Sequence, residues 1–171
     1  MTIGDLNALD REDFVAALGW IFEDSPWVAE RTWAARPFAN MEALHTAMIG
    51  QLARANREEQ LALLCAHPDL GTRARISPAS TDEQAGAGLD QLNPQEFEFL
   101  QEMNSAYRKK FGFPFLYAVK GSTKHDILRA LQLRLGASPD EEFEEALRQV
   151  QRIARFRLLD TVSETIQEAT S

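Results

Sequence analysis

Apolar residues recur along the chain at three- and four-residue steps, and no stretch keeps a sustained two-residue alternation. That periodicity predicts helices throughout. Asp10 is placed to cap a helix carrying Phe14, Leu18, Ile21 and Phe22. Ser25-Pro26 reads as an N-cap followed by proline at the first helical position, where the missing N–H costs nothing. The helix after it holds Trp27, Val28 and Trp33 and stops before Pro37. Asn40 caps the next, whose buried stripe is Met41, Leu44, Met48, Ile49 and Leu52. Another begins near Arg57 and buries Leu61, Leu64 and Cys65. It ends at His67-Pro68, because proline disfavours helical backbone in the residue before it.

Ser80 opens a short helix that runs to about Leu89, weakened by Gly86 and Gly88. Asn93-Pro94 repeats the cap-then-proline pattern, and its helix carries Phe97, Leu100, Met103, Asn104 and Tyr107 before fading at Gly112. Residues 113–119 form the most apolar segment without helical period. Pro114 and the lack of a strand partner make it a buried extended connection. Ser122 caps a helix with Ile127, Leu128, Leu131 and Leu135 that ends at Gly136. Ser138-Pro139-Asp140-Glu141 opens the last helix with a capping box, and that helix runs to about Val162. No repeat, low-complexity tract or linker interrupts the series. The expectation is one all-α domain over residues 1–171, an irregular helical bundle.

A chain of 171 residues is long enough to bury one sizeable core. Its formal net charge of −8 argues against nucleic acid as a partner, since an acidic surface repels phosphate backbones. Cys65 is the only cysteine, which excludes an internal disulfide and fits a reducing compartment. Met1 to Leu9 carries no Lys or Arg ahead of an apolar run, so it does not read as a secretory signal. No apolar run reaches membrane-spanning length. Glu168-Ala169-Thr170-Ser171 carries neither a prenylation cysteine nor a peroxisomal tripeptide. A cytoplasmic protein with no membrane partner is expected.

Several residues do not fit a purely structural pattern. On the last helix, at about 100° per residue, Phe143, Leu147, Val150, Ala154 and Thr161 share one stripe with Arg157. Arg148, Arg152 and Arg155 lie on the opposite side. A guanidinium on a buried stripe requires a buried carboxylate, an anionic ligand, or a route for its head to the stripe's edge. His67 sits at a helix end, where it can bond a terminal carbonyl and also serve as an acid–base group near neutral pH. Ser80-x-x-Glu83 fits a capping box, but Gln84 adds an amide that a cap does not need. His45 and His125 fall in ordinary helical patterns. No pair of ligands at helical spacing suggests a metal site.

Taken together, Cys65-Ala66-His67-Pro68-Asp69-Leu70-Gly71, Ser80-x-x-Glu83-Gln84-x-x-Ala87-Gly88-Leu89, Asn104-x-x-Tyr107-x-x-Lys110-Phe111-Gly112-Phe113-Pro114-Phe115 and Arg157-Leu158 resemble the OHCU decarboxylase family. OHCU is 2-oxo-4-hydroxy-4-carboxy-5-ureidoimidazoline, a late intermediate of uric acid breakdown. The resemblance covers nearly the whole chain. It implies an all-helical homodimer that decarboxylates OHCU to (S)-allantoin and carbon dioxide without a cofactor or metal. It further implies His67, Glu83 and Arg157 as catalytic residues. Pro68, Ser80, Gln84, Arg157 and the stretch Phe115, Leu116, Tyr117, Ala118 and Val119 would contact the substrate, with Glu83 bonding His67 and setting its tautomer. Gly136-Ala137 departs from the family pattern, where many members carry an asparagine, and Ala79 stands where a polar residue is common. Two other readings stay open. One is a decarboxylase or hydrolase of a related ureido compound. The other is a non-catalytic helical binding module in which Ser80 and Glu83 only cap, His67 only ends a helix, and Arg157 forms a structural ion pair.

Overall fold

The computed structural model describes residues 1–163; the C-terminal residues 168–171, read above for targeting signals, lie outside them. Nine α-helices fill the described residues. They are α1 (Ile3–Ala8), α2 (Arg11–Leu18), α3 (Trp27–Thr32), α4 (Met41–Arg54), α5 (Arg57–Ala66), α6 (Pro78–Gly86), α7 (Pro94–Phe111), α8 (Lys124–Arg134) and α9 (Pro139–Thr161). A single 3-10 turn, Trp33–Ala35, extends α3. The only pairing of strand type among the described residues is an isolated bridge between Thr2 and Ser163. The all-α class is therefore as the periodicity predicts.

Caps decide where most helices begin. Asp10, Asn40 and Asn93 each accept a backbone N–H from the third helical residue. Pro94 occupies the first position of α7, and Ser138 and Glu141 exchange the two capping-box bonds at the start of α9. Elsewhere the starts differ from expectation by a few residues. Ser77, not Ser80, caps α6, and Thr123, not Ser122, caps α8. Pro26 itself takes the N-cap of α3, while the Ser25 hydroxyl donates to the Glu23 carbonyl. Helix α1 has a complete capping box from Thr2 and Asp5 but buries only Leu6, too little apolar periodicity to reveal it. Helix α2 ends at Leu18, so Ile21 and Phe22 are buried from the turn that follows. On α5 the buried residues are Leu63 and Leu64, whereas Leu61 and Cys65 are exposed.

The chain divides into two compact units. The first comprises Met1–Glu59 and the chain from Ala154. In it α3 packs on α2 and α4, and Phe14 stacks on Phe38 with centroids 6.2 Å apart. The second comprises Gln60–Ile153. Its core is aromatic: the ring of Tyr107 lies 4.5 Å from Phe111, 5.9 Å from Phe113 and 5.4 Å from Phe115. Phe113 meets Phe143 edge-on at 5.9 Å. Residues 114–119 adopt neither helix nor strand, and all but Tyr117 are buried, as expected for an enclosed connection. Gly112, with φ +82, ends α7 in the left-handed conformation that releases the chain into this segment. No helix among the described residues is long and apolar enough to cross a membrane.

Candidate active site

Helix α5 has to stop before Pro68, and its last carbonyls lose their intrahelical partners. His67 supplies one. Its Nδ1 lies 2.9 Å from the Leu63 carbonyl oxygen, and the residue is 6% exposed. A carbonyl can only accept, so the proton belongs on Nδ1 and the lone pair of the neutral ring on Nε2. The helix-end role therefore leaves Nε2 of the neutral ring able to accept a proton. The bond at the helix end favours that tautomer.

The turn after His67 is held from two sides. Gly71 has φ +72, and a Cβ there would lie 2.5 Å from Leu100 Cδ2, so this position requires glycine. Its N–H donates to Gln84 Oε1 at 2.8 Å. The second hold comes from α7. Asn104 Nδ2 donates to the Leu70 carbonyl at 3.0 Å, and Arg108 bonds Asp69 at 2.8 Å. On α6, Glu83 and Gln84 follow Ser80 by three and four residues, and Ala87, at the C-cap, follows Gln84 and Glu83 by three and four. Ser80, Gln84 and Ala87 are buried and Glu83 is half-buried. Because Ser77 does the capping, the side chains of Ser80 and Glu83 are not needed at the helix start. Ser77-Pro78 repeats the Asn93-Pro94 pattern, and that repetition is the signal by which the true cap could have been found.

Residues 115–119 join the same unit through α7, where the Tyr107 ring meets Phe115. Two of their backbone groups are bonded to side chains. The Leu116 carbonyl accepts from Arg134 Nη1, and the Ala118 N–H donates to Gln149 Oε1 at 2.9 Å. The second unit therefore holds His67, Pro68, Ser80, Glu83, Gln84 and the 115–119 stretch. Arg157 belongs to the first unit. It is 3% exposed, and its partner is Glu23, whose Oε2 lies 2.9 Å from Nη2. Its Nη1 also donates to the carbonyls of Trp20 and Ile21 at 3.3 and 3.4 Å. A buried carboxylate, one of the three ways to accommodate that charge, is thus supplied by Glu23. Glu23 lies in a turn outside any helical stripe, so periodicity gave no hint of it. Among the described residues, no group of three His, Cys, Asp or Glu side chains is arranged to hold a metal ion.

Comparison with known proteins agrees with these motifs. The chain is 46% identical over 158 residues to 2-oxo-4-hydroxy-4-carboxy-5-ureidoimidazoline decarboxylase of Halalkalicoccus jeotgali, covering 92% of this chain and 90% of that protein. A crystal structure of OHCU decarboxylase in the presence of (S)-allantoin superposes with TM-score 0.68 at 26% identity, covering 89% of this chain and 97% of the other. A crystal structure of (S)-allantoin synthase superposes with TM-score 0.76 at 34% identity. There the match covers 95% of this chain and 54% of the other, so this chain spans about half of it. Residues 7–159 match the OHCU decarboxylase family model. With the fold, the motifs and the relatives in agreement, the chain belongs to the OHCU decarboxylase family.

Proposed function

We propose that this chain is a carboxy-lyase that decarboxylates 2-oxo-4-hydroxy-4-carboxy-5-ureidoimidazoline to (S)-allantoin and carbon dioxide in uric acid degradation. The observation that carries the reading is the 46% identity, over nearly the full length of both chains, to a protein of that name. The fixed tautomer of His67 supports it independently.

Loss of carbon dioxide leaves an electron pair on the carbon that bore the carboxylate. The substrate's own imidazoline C=N unit can take up that pair, so the chemistry calls for no cofactor. The protein orients the leaving carboxylate, stabilises charge as it develops and delivers a proton to one face. Arg157 suits a planar anionic or ureido group through paired N–H donors, and in that role it is shared between Glu23 and the substrate. Ser80, the Gln84 amide and the 115–119 backbone fix the polar edge of the ring, with Pro68 closing the turn beside them. His67 uses Nε2, the nitrogen left with the lone pair, to take the hydroxyl proton or, once protonated, to return one to carbon. Glu83 serves as the carboxylate partner of the ring once Nε2 is protonated.

The family resemblance supports a single catalytic domain over residues 1–171 and a homodimer, which sedimentation would check. The lone cysteine supports a cytoplasmic location. The reaction is tested by generating the substrate in place from urate and following circular dichroism. A growing signal of (S)-allantoin that is lost in His67→Ala is the expected result. A racemic product at the spontaneous rate, with folded protein present, would refute the proposal and turn attention to related ureido compounds.

A further inference from the structure

Tyr107 belongs to the motif that carries the resemblance, yet the reaction gives it no task. It is wholly buried, and its hydroxyl donates to Glu142 Oε1 at 2.5 Å. Burial first, and then that bond, raise the phenol well above its ordinary pKa, so it remains a donor. The same oxygen accepts Arg134 Nε at 2.5 Å, and Arg134 Nη2 completes the ion pair. Glu142 is 2% exposed, and one of its carboxylate oxygens holds both the phenol and the guanidinium. From it Arg134 reaches outward. Nη1 donates to the Leu116 carbonyl, and the guanidinium carbon lies 4.6 Å from the centroid of the Phe115 ring. Two residues on, Gln149 accepts from the Ala118 N–H while its own amide donates to Glu145 at 2.8 Å.

Both bonded backbone groups come from alternate residues. The rings of Phe115 and Tyr117 stack with centroids 6.1 Å apart and planes inclined by 17°, as side chains two residues apart do on an extended chain. In such a chain the N–H and C=O of successive residues point to opposite edges. Arg134 and Gln149 therefore occupy one edge, at Leu116 and Ala118. The backbone groups of Phe115 and Tyr117 lie along the other.

We infer that Arg134, oriented by Glu142 and Tyr107, is a positioning residue: it fixes one edge of the 115–119 backbone so that the opposite edge meets the polar groups of the substrate. The inference rests on the proposal that this stretch contacts substrate. Arg134 itself needs no contact with substrate, because it acts through the Leu116 carbonyl.

The test compares the full chain with Tyr107→Phe and Arg134→Lys. It measures KM and kcat on substrate made in place, melting temperature, and hydrogen exchange of the 115–119 amides. KM should rise about tenfold in Arg134→Lys and less in Tyr107→Phe, with kcat changed by less than about threefold and faster exchange at 115–119 in both. A network that only stabilises the core would lower the melting temperature and leave KM and that exchange unmoved. That result, in either folded variant, overturns the inference. Tyr107→Phe keeps the buried ring and gives the answer if Arg134→Lys does not fold. Should the parent chain fail to turn over the substrate, the proposed reaction has failed and exchange alone decides. Faster exchange at 115–119 then supports the positioning role and unchanged exchange overturns it.

Discussion

Arg157 shows what a buried charge demands. With its guanidinium 3% exposed, the Coulomb attraction of Glu23 has to offset the desolvation of both groups. Removing one partner leaves the other charged in a dry site. Glu23→Ala should therefore cost about 3 kcal/mol or more, read from urea unfolding, and far exceed the loss from an exposed ion pair such as Arg11–Glu30. A loss below about 1 kcal/mol would mean that the pair is solvated in solution. The helical wheel located the arginine because a charge on an apolar stripe is conspicuous. It could not locate the glutamate, whose place comes from a turn that only tertiary structure defines. His67 was legible for a similar reason, since Pro68 dictates the helix end. Its Leu63 partner is a backbone oxygen, and backbone oxygens carry no residue identity to read.

At the scale of elements, helix periodicity was strong enough to define eight of the nine described helices, and the errors lie at their ends. The revision at α6 changes the meaning of a motif. Ser77 Oγ accepts the Ser80 N–H at 3.2 Å, which makes Ser77 the capping serine and keeps the cap distinct from the substrate contact proposed for Ser80. Two substitutions separate these roles. Ser77→Ala should cost about 1 kcal/mol of stability with turnover nearly intact. Ser80→Ala should raise KM, an effect that loss of a cap alone would not produce. If the two effects were exchanged, the cap would be at Ser80 after all. Helix α7 was predicted as a helix but not as the organiser of the second unit. Its Asn104 and Arg108 reach the turn at Asp69-Leu70, Tyr107 reaches Glu142 and Lys110 reaches Leu135, and those destinations depend on contacts far apart in sequence.

For the molecule as a whole, acid is the condition that both units share as a weakness. Hydrogen bonds hold several exposed or half-buried carboxyls below their ordinary pKa. Asp5 is held by the Thr2 backbone and Glu59 by Arg31 in the first unit. Glu96 is held by Lys124 and Asp126 by the Thr123 backbone in the second. A carboxyl whose pKa is depressed by folding stabilises fully above its unfolded value and loses that contribution as pH falls through the folded value. The melting temperature should thus be level near neutrality and decline below about pH 4. Glu96→Gln should start lower at neutral pH and show a shallower decline. An equal decline in that variant would remove Glu96 from the account.

Many of the long-range bonds end on main-chain oxygen. Lys110 donates to the carbonyls of Leu135 and Ala137, Asn104 to that of Leu70, Arg134 to that of Leu116, and Arg36 to those of Asn7 and Leu9. Every amino acid offers the same acceptor. The receiving positions are therefore free to drift in identity as long as the backbone path is kept, while the donating side chains are not. Ala137 illustrates the asymmetry: its side chain offers no acceptor, and the ammonium of Lys110 still finds its backbone oxygen.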